Sequence, residues 1–141
     1  MFSKSCEYGI RALTVVGKAQ LKGQKIGIKD ICKLANTPES FTAKILQNLV
    51  KRKILSSQKG PSGGFYFDRK LEEISLEEIV VAIDGEKIFQ KCGMGFSICN
   101  AKNPCPMHNH YKTLRAQLKK MCHNNNLLNL SNNLNPKLYY R

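Results

Sequence analysis

The chain has 141 residues, a formal net charge of +13, 42% apolar residues and six cysteines. That length allows one compact domain, or one domain with an arm that needs a partner, and no apolar run of about 18 residues suggests a membrane span. The opening MFSKSCEYGIRAL lacks the unbroken apolar core of a signal peptide, so a cytoplasmic protein is expected, whose thiols serve metal, redox sensing or core filling rather than a disulfide framework.

The charge is unevenly placed. Residues 1–70 carry fourteen Lys/Arg against four Asp/Glu, and residues 71–141 carry nine against six. A basic first half points to a polyanion, with nucleic acid ahead of a membrane surface. No nucleophile–base motif or phosphate loop appears, so an enzyme is not expected.

Residues 3–21 read as a first helix, capped by Ser3 or Ser5, with Ile10, Leu13, Gly17 and Leu21 along one stripe and Ala12, Val15, Val16 and Ala19 widening it. A second, short helix over residues 28–35 turns Ile31, Leu34 and Ala35 inward. Asn36-Thr37-Pro38 then makes a tight turn, in which Thr37 can cap a third helix and Pro38 can begin it. In that helix Phe41, Ile45, Leu46 and Leu49 form the expected buried stripe. Ser40, Thr42, Lys44, Gln47, Asn48 and Lys51 fall on the other face. Two helices joined by a short turn, the second polar and basic outside, make a helix-turn-helix pattern, and its outer face is the expected reader of major-groove base edges and phosphates.

Residues 55–58 and 65–67 are strand candidates around Lys59-Gly60-Pro61-Ser62-Gly63-Gly64, a glycine-rich hairpin tip. A hairpin here is a wing, with Lys59 supplying charge, its glycines, Gly63 among them, letting backbone approach a phosphate or a narrow groove, and Ser62 beside them as a further DNA-contact candidate. Residues 74–84 form a fourth helix with Ser75 as cap and Glu77-Glu78 in the first turn; Gly85 stops it.

The stretch from Lys91 to His108, KCGMGFSICNAKNPCPMH, has no apolar period and is punctuated by glycine and proline. It carries Cys92, Cys99 and Cys105 in the spacing C-x6-C-x5-C, with His108 three residues further on. Three thiols and an imidazole on one irregular segment can bind an iron–sulfur cluster or, as a Cys3His set, zinc. A metal-free thiol loop also stays open. Cys6, Cys32 and Cys122 lie on helices and read as core filling, while His110 and His123 read as solvated. A fifth helix starts at Pro106, with Tyr111, Leu114, Leu118 and Met121 as a narrow seam for a second chain. The tail holds seven asparagines between residues 124 and 135, broken by leucines, with room for a short helix at most.

The expected fold is mainly α with a small β wing. A winged helix-turn-helix domain spans residues 1–85, a cysteine-rich loop residues 86–108, and a dimerisation helix and tail residues 109–141.

On Glu7-Tyr8-Gly9-Ile10-Arg11-Ala12-Leu13, the wing residues 59–65, ISLEEIVVAIDG over residues 74–85, and the cysteine triplet, the chain resembles a bacterial family. These are the winged-helix iron–sulfur transcriptional regulators that include IscR and NsrR, and the resemblance runs over roughly residues 1–130. It implies a homodimer with crossing long helices, bound to a double-stranded DNA operator, often as a repressor. It also implies Cys92, Cys99 and Cys105 as ligands of a 2Fe-2S or 4Fe-4S cluster that senses redox, nitric oxide or iron status. In IscR-like members the fourth ligand is a histidine at the place of His108. In NsrR-like members it is an acidic residue at the place of Glu7, given by the partner subunit. The family's wing usually carries an arginine and a glycine where this chain has Lys59 and Ser62, and lysine cannot repeat arginine's planar two-pronged contact. The alternatives are a cluster-free thiol or zinc-containing regulator of the same fold and, in a different class, a small basic metal-binding redox or electron-transfer protein. An electron carrier has no use for the wing and reading helix.

Overall fold

A computed structural model describes residues 1–97 and 100–135. Its central pillar is α1, Lys4–Leu21. Ser3 caps it, its Oγ accepting the Cys6 amide at 3.0 Å, and every residue from Ala12 to Gly17 is buried. Such a run suits a helix covered on several sides. Leu21 lies beyond that cover and is 48% exposed, outside the stripe expected of it.

Around α1 stand α2 (Ile28–Ala35), α3 (Glu39–Lys51) and α4 (Leu76–Asp84), sharing a core built on Leu13, Val16, Ile31, Leu46, Leu49 and Ile79. Leu34, expected to face inward, is exposed. Asn36 ends α2 in the left-handed region (φ +53°), and the Thr37 amide donates back to the Cys32 carbonyl at 3.1 Å. Thr37 therefore belongs to the end of α2, and Pro38 rather than Thr37 precedes the first turn of α3.

The wing pairs β1 (Ser56–Gln58) antiparallel to β2 (Gly64–Tyr66), with Ser57 opposite Phe65. Ile26 adds a third rung: the Phe65 amide donates to the Ile26 carbonyl at 2.8 Å, and the Ile26 amide returns to Phe65 at 3.3 Å. The first strand begins one residue later than expected and the second lies one residue earlier, and Leu55 and Phe67 are buried as anchors in the core. Gln20 of α1 holds the Phe67 backbone through both its side-chain amide groups.

Ser75 caps α4, accepting the Glu78 amide at 3.1 Å, and Arg69 grips the Glu78 carboxylate with two nitrogens. After the cysteine loop comes α5, His108–Asn124, which starts two residues later than Pro106. The chain then turns back. The Leu76 amide donates to Asn125 and the Leu127 amide to Ile74, so the asparagine-rich segment is pinned to the start of α4. It continues as α6, Leu127–Asn133, capped by Asn126. Leu127 and Ser131 are buried, with Ser131 seated over Gly17 of α1. No described helix is long and apolar enough to cross a membrane.

Candidate functional site

The outer face of α3 is defined by what its inner face buries. Thr42, Leu46 and Leu49 are fully buried, at spacings of four and three residues. Leu46 and Leu49 are the buried positions expected, Ile45 packs against the core, and only Phe41 and Thr42 exchange places. Thr42 leaves the solvent face, where it was expected to meet DNA, and Phe41 leaves the core to become 45% exposed. Phe41 instead packs edge to face on Tyr8 of α1, centroids 5.7 Å apart, and the smaller Thr42 takes the fully buried place. Ser40, Lys44, Gln47, Asn48 and Lys51 are exposed, as expected. Arg52, Lys53 and Lys59 continue the basic surface towards the wing.

At the wing tip Lys59 and Ser62 are exposed. Gly63 and Gly64 answer to the hairpin itself. A Cβ on Gly63 would stand 2.0 Å from the Gln58 carbonyl oxygen, and one on Gly64 (φ +144°) 2.8 Å from the Ile26 backbone. Lys25 braces this hairpin, bonding Gln58 and lying over the Tyr66 ring at 4.7 Å.

The second cluster of functional side chains lies at the head of α5. Cys92 and His108 are buried, Cys105 is half-buried, and all three line one cavity of about 310 Å³ with Phe96, Asn100, Asn103 and Pro104. Backbone amides of Met94 and Phe96 hold the Cys92 thiol below its ordinary range; burial opposes them, and the Cys105 thiol and the Gly95 amide assist. The amide of His108 donates to the Cys105 carbonyl at 3.0 Å, closing the turn that brings both side chains to one cavity. Cys99 lies outside the described residues. Among the described residues no three Cys, His, Asp or Glu side chains gather closely enough to hold a single metal ion. Two sulfurs and an imidazole around one cavity are nonetheless a soft-to-borderline donor set of the kind an iron–sulfur cluster takes. Glu7 sits apart in the first turn of α1, half-buried and paired with Lys4 at 3.0 Å.

Two residues of α5 hold this loop: Arg115, which no sequence pattern marks, and Tyr111, which the sequence marks only for a seam. Arg115 of α5 donates to the carbonyls of Gln90 and Lys91 at 2.8 and 2.7 Å, fixing the chain just before Cys92. Tyr111 packs on Gly93, where a Cβ would come within 2.4 Å of the ring. A basic residue on a polar helix ordinarily reads as solvated, so Arg115 gave no signal.

The remaining thiols are buried, as expected: Cys6 and Cys122 share an apolar cluster with Leu76 and Val80, and Cys32 lies beside the main core. Burial, with Asp84 nearby, pushes the Cys6 thiol up to about 12. His123 is largely exposed but pairs with Glu77 at 2.9 Å. Tyr111 and Leu118 face their own chain. Of the expected seam on α5 only Leu114 and Met121 point outward, 58% and 44% exposed, in line with Met107 at 49%.

Comparison with known proteins matches residues 2–133 to the Rrf2 family model, described as an iron-dependent transcriptional regulator. A putative HTH-type transcriptional regulator of Aquifex aeolicus is 27% identical over 121 residues, covering 84% of this chain and 83% of that protein. The regulator IscR of Serratia proteamaculans is 23% identical over 126 residues, covering 89% and 76%. Among solved structures, CymR, the global cysteine regulator of B. subtilis, superposes with a TM-score of 0.80 at 15% identity, covering 96% of this chain and 98% of that one. T. potens IscR superposes at 0.73 and 13% identity, covering 100% and 93%. The two show the same winged-helix fold.

Proposed function

The chain belongs to the Rrf2 family of iron-dependent transcriptional regulators, DNA-binding proteins rather than enzymes, and from that premise we propose a cytoplasmic homodimer whose operator affinity is set by an iron–sulfur cluster. Family membership sets aside the electron-carrier alternative. Cys92, Cys99, Cys105 and His108 hold the cluster. The observation that carries this reading is the shared cavity of about 310 Å³, to which the loop and the first turn of α5 together bring Cys92, Cys105 and His108. A bound cluster supplies iron–thiolate bonds that respond to oxidants, nitric oxide and iron supply. The chain's own part is to hold the donors. Arg115 anchors the approach to Cys92, Tyr111 seats Gly93, and the buried position of His108 keeps water from its ring.

On the DNA side, Ser40, Lys44, Gln47 and Lys51 meet base edges and flanking phosphates, and Lys59 with Ser62 and Gly63 follows the backbone from the wing. Leu114, Met121 and Met107 meet a second copy, giving two reading heads on half-sites about one helical turn apart or a multiple of it.

Anaerobic purification followed by absorption spectroscopy with iron and sulfide analysis tests the reading. A brown protein is expected, losing its chromophore on changing Cys92, Cys99 or Cys105 to Ala and keeping it in Cys32→Ala. His108→Ala should shift the spectrum while Glu7→Ala leaves it alone; the reverse moves the fourth ligand to the partner subunit. Colourless protein with stoichiometric zinc would exclude the iron–sulfur reading.

One observation supports a second reading. The Cys92 and Cys105 thiols line the same cavity, and one of the matching structures is of an oxidised form of S. aureus CymR, at 20% identity and a TM-score of 0.73, covering 96% of this chain and 98% of that one. A colourless, metal-free protein that loses two thiols per chain on titration with hydrogen peroxide would favour a thiol switch.

A further inference from the structure

We infer that Phe41 is a specificity residue that reads the C5-methyl group of a thymine in the major groove. The inference rests on the DNA-binding reading and adds a base to it. Phe41 lies in the first turn of α3, and it is the N-terminal residues of a recognition helix that reach base edges. Phe41 is 45% exposed, whereas the neighbouring Thr42 is fully buried. Around it the exposed side chains of α3 are polar: Ser40, Lys44, Gln47 and Asn48.

The ring is held in place. It meets Tyr8 of α1 edge to face, with centroids 5.7 Å apart and planes at 88°, and the Arg11 guanidinium lies 5.3 Å from the centre of the Tyr8 ring. An exposed aromatic fixed by a second aromatic loses little freedom on contact, so it can recognise rather than merely touch. Beside it opens a cleft of about 280 Å³ lined by Ser5, Phe41, Lys44, Ile45, Asn48 and Ile83. A phenylalanine ring offers no hydrogen bond to a base. The apolar group that B-DNA presents in the major groove is the thymine methyl, and a cleft with Phe41, Ile45 and Ile83 on its walls suits a methyl group.

The test uses the full dimeric protein and a duplex enriched by it from a random pool. Each thymine is replaced in turn by deoxyuridine, which removes the methyl and keeps every hydrogen-bonding group. At one position per half-site the replacement should weaken wild-type binding by about fourfold, the worth of one buried methyl. Phe41→Ala should bind the thymine and deoxyuridine duplexes alike. Phe41→Leu, which keeps an apolar side chain and does not depend on Phe41→Ala folding, should retain part of the difference. Lys44→Ala should retain all of it while binding more weakly overall. Wild-type affinity indifferent to every deoxyuridine, or the same deoxyuridine profile in wild type and Phe41→Leu, would overturn the inference. Failure to enrich any duplex would overturn the DNA-binding reading first, and the inference with it.

Discussion

A buried hydroxyl without a partner costs about 1–3 kcal/mol, and among the described residues Thr37, Thr42 and Ser131 carry one each. Thr42 is the informative case, because its place on α3 puts it one residue from the exposed reading face. Thr42→Val keeps the shape and removes the unpaired oxygen. It should leave the unfolding free energy unchanged or raise it by about 1 kcal/mol, with operator affinity unaltered. Loss of affinity in a well-folded Thr42→Val protein would return that side chain to the DNA. Lys59→Ala is the contrasting change. An exposed wing lysine on a phosphate should, when removed, weaken binding to all sequences and flatten the slope of log affinity against log salt by about 0.9 for each phosphate no longer neutralised. An unchanged slope would place the wing away from the backbone.

At the scale of elements, the wing depends on one close approach. Gly64 stands at φ +144°, a Cβ there would come within 2.8 Å of three Ile26 backbone atoms, and those cannot yield as a flexible side chain can. Gly64→Ala should therefore loosen the Ile26–Phe65 bridge and destabilise the fold by about 1–3 kcal/mol, seen as a lower denaturant midpoint. A midpoint equal to wild type would mean that the third rung contributes nothing.

The helices α1 to α4 were legible in the sequence because their apolar periods are long and their caps, Ser3 and Ser75, are plain. On α3 one position was misread, since hydropathy ranks Phe41 above Thr42, while in the fold Thr42 is buried and Phe41 packs on Tyr8. The tail was the least legible. Asparagine is a poor helix former, and α6 exists because Leu127 and Ser131 find a bed on α1, Ser131 against Gly17, a contact no local pattern announces. In the candidate site, the cysteines and His108 were visible as a spacing. The parts played by Arg115 and Tyr111 were not, because they depend on where α5 lies against the loop.

At the scale of the molecule, α5 lies between the cysteine cavity and an exposed apolar line. Its inner face, with Tyr111, Arg115, Leu118 and Cys122, packs on its own chain, while Leu114 and Met121 lie exposed seven residues apart and Met107, seven residues before Leu114, is exposed just ahead of the helix. A seven-residue repeat of this kind is what a helix presents to a partner helix. Leu114→Glu should convert the dimer to a monomer in sedimentation velocity and leave the circular dichroism of the fold intact; a persistent dimer would place the interface elsewhere. Met107 at that outer line and His108 in the cysteine cavity are adjacent residues. On the proposed reading, ligation at His108 would act on the first turn of the same helix that would set the spacing of two reading heads. Such a linkage shifts affinity only as far as the two states differ in how they meet DNA.

The central claim is that coupling, and one measurement addresses it. Operator affinity is determined anaerobically by fluorescence anisotropy, on one preparation, before and after the iron is removed by chelation. A difference of about 5- to 150-fold is predicted, and Cys92→Ala should bind like the iron-free protein whether or not it has been treated. Equal affinities before and after removal, with the chromophore shown to have been present and then bleached, would contradict the account.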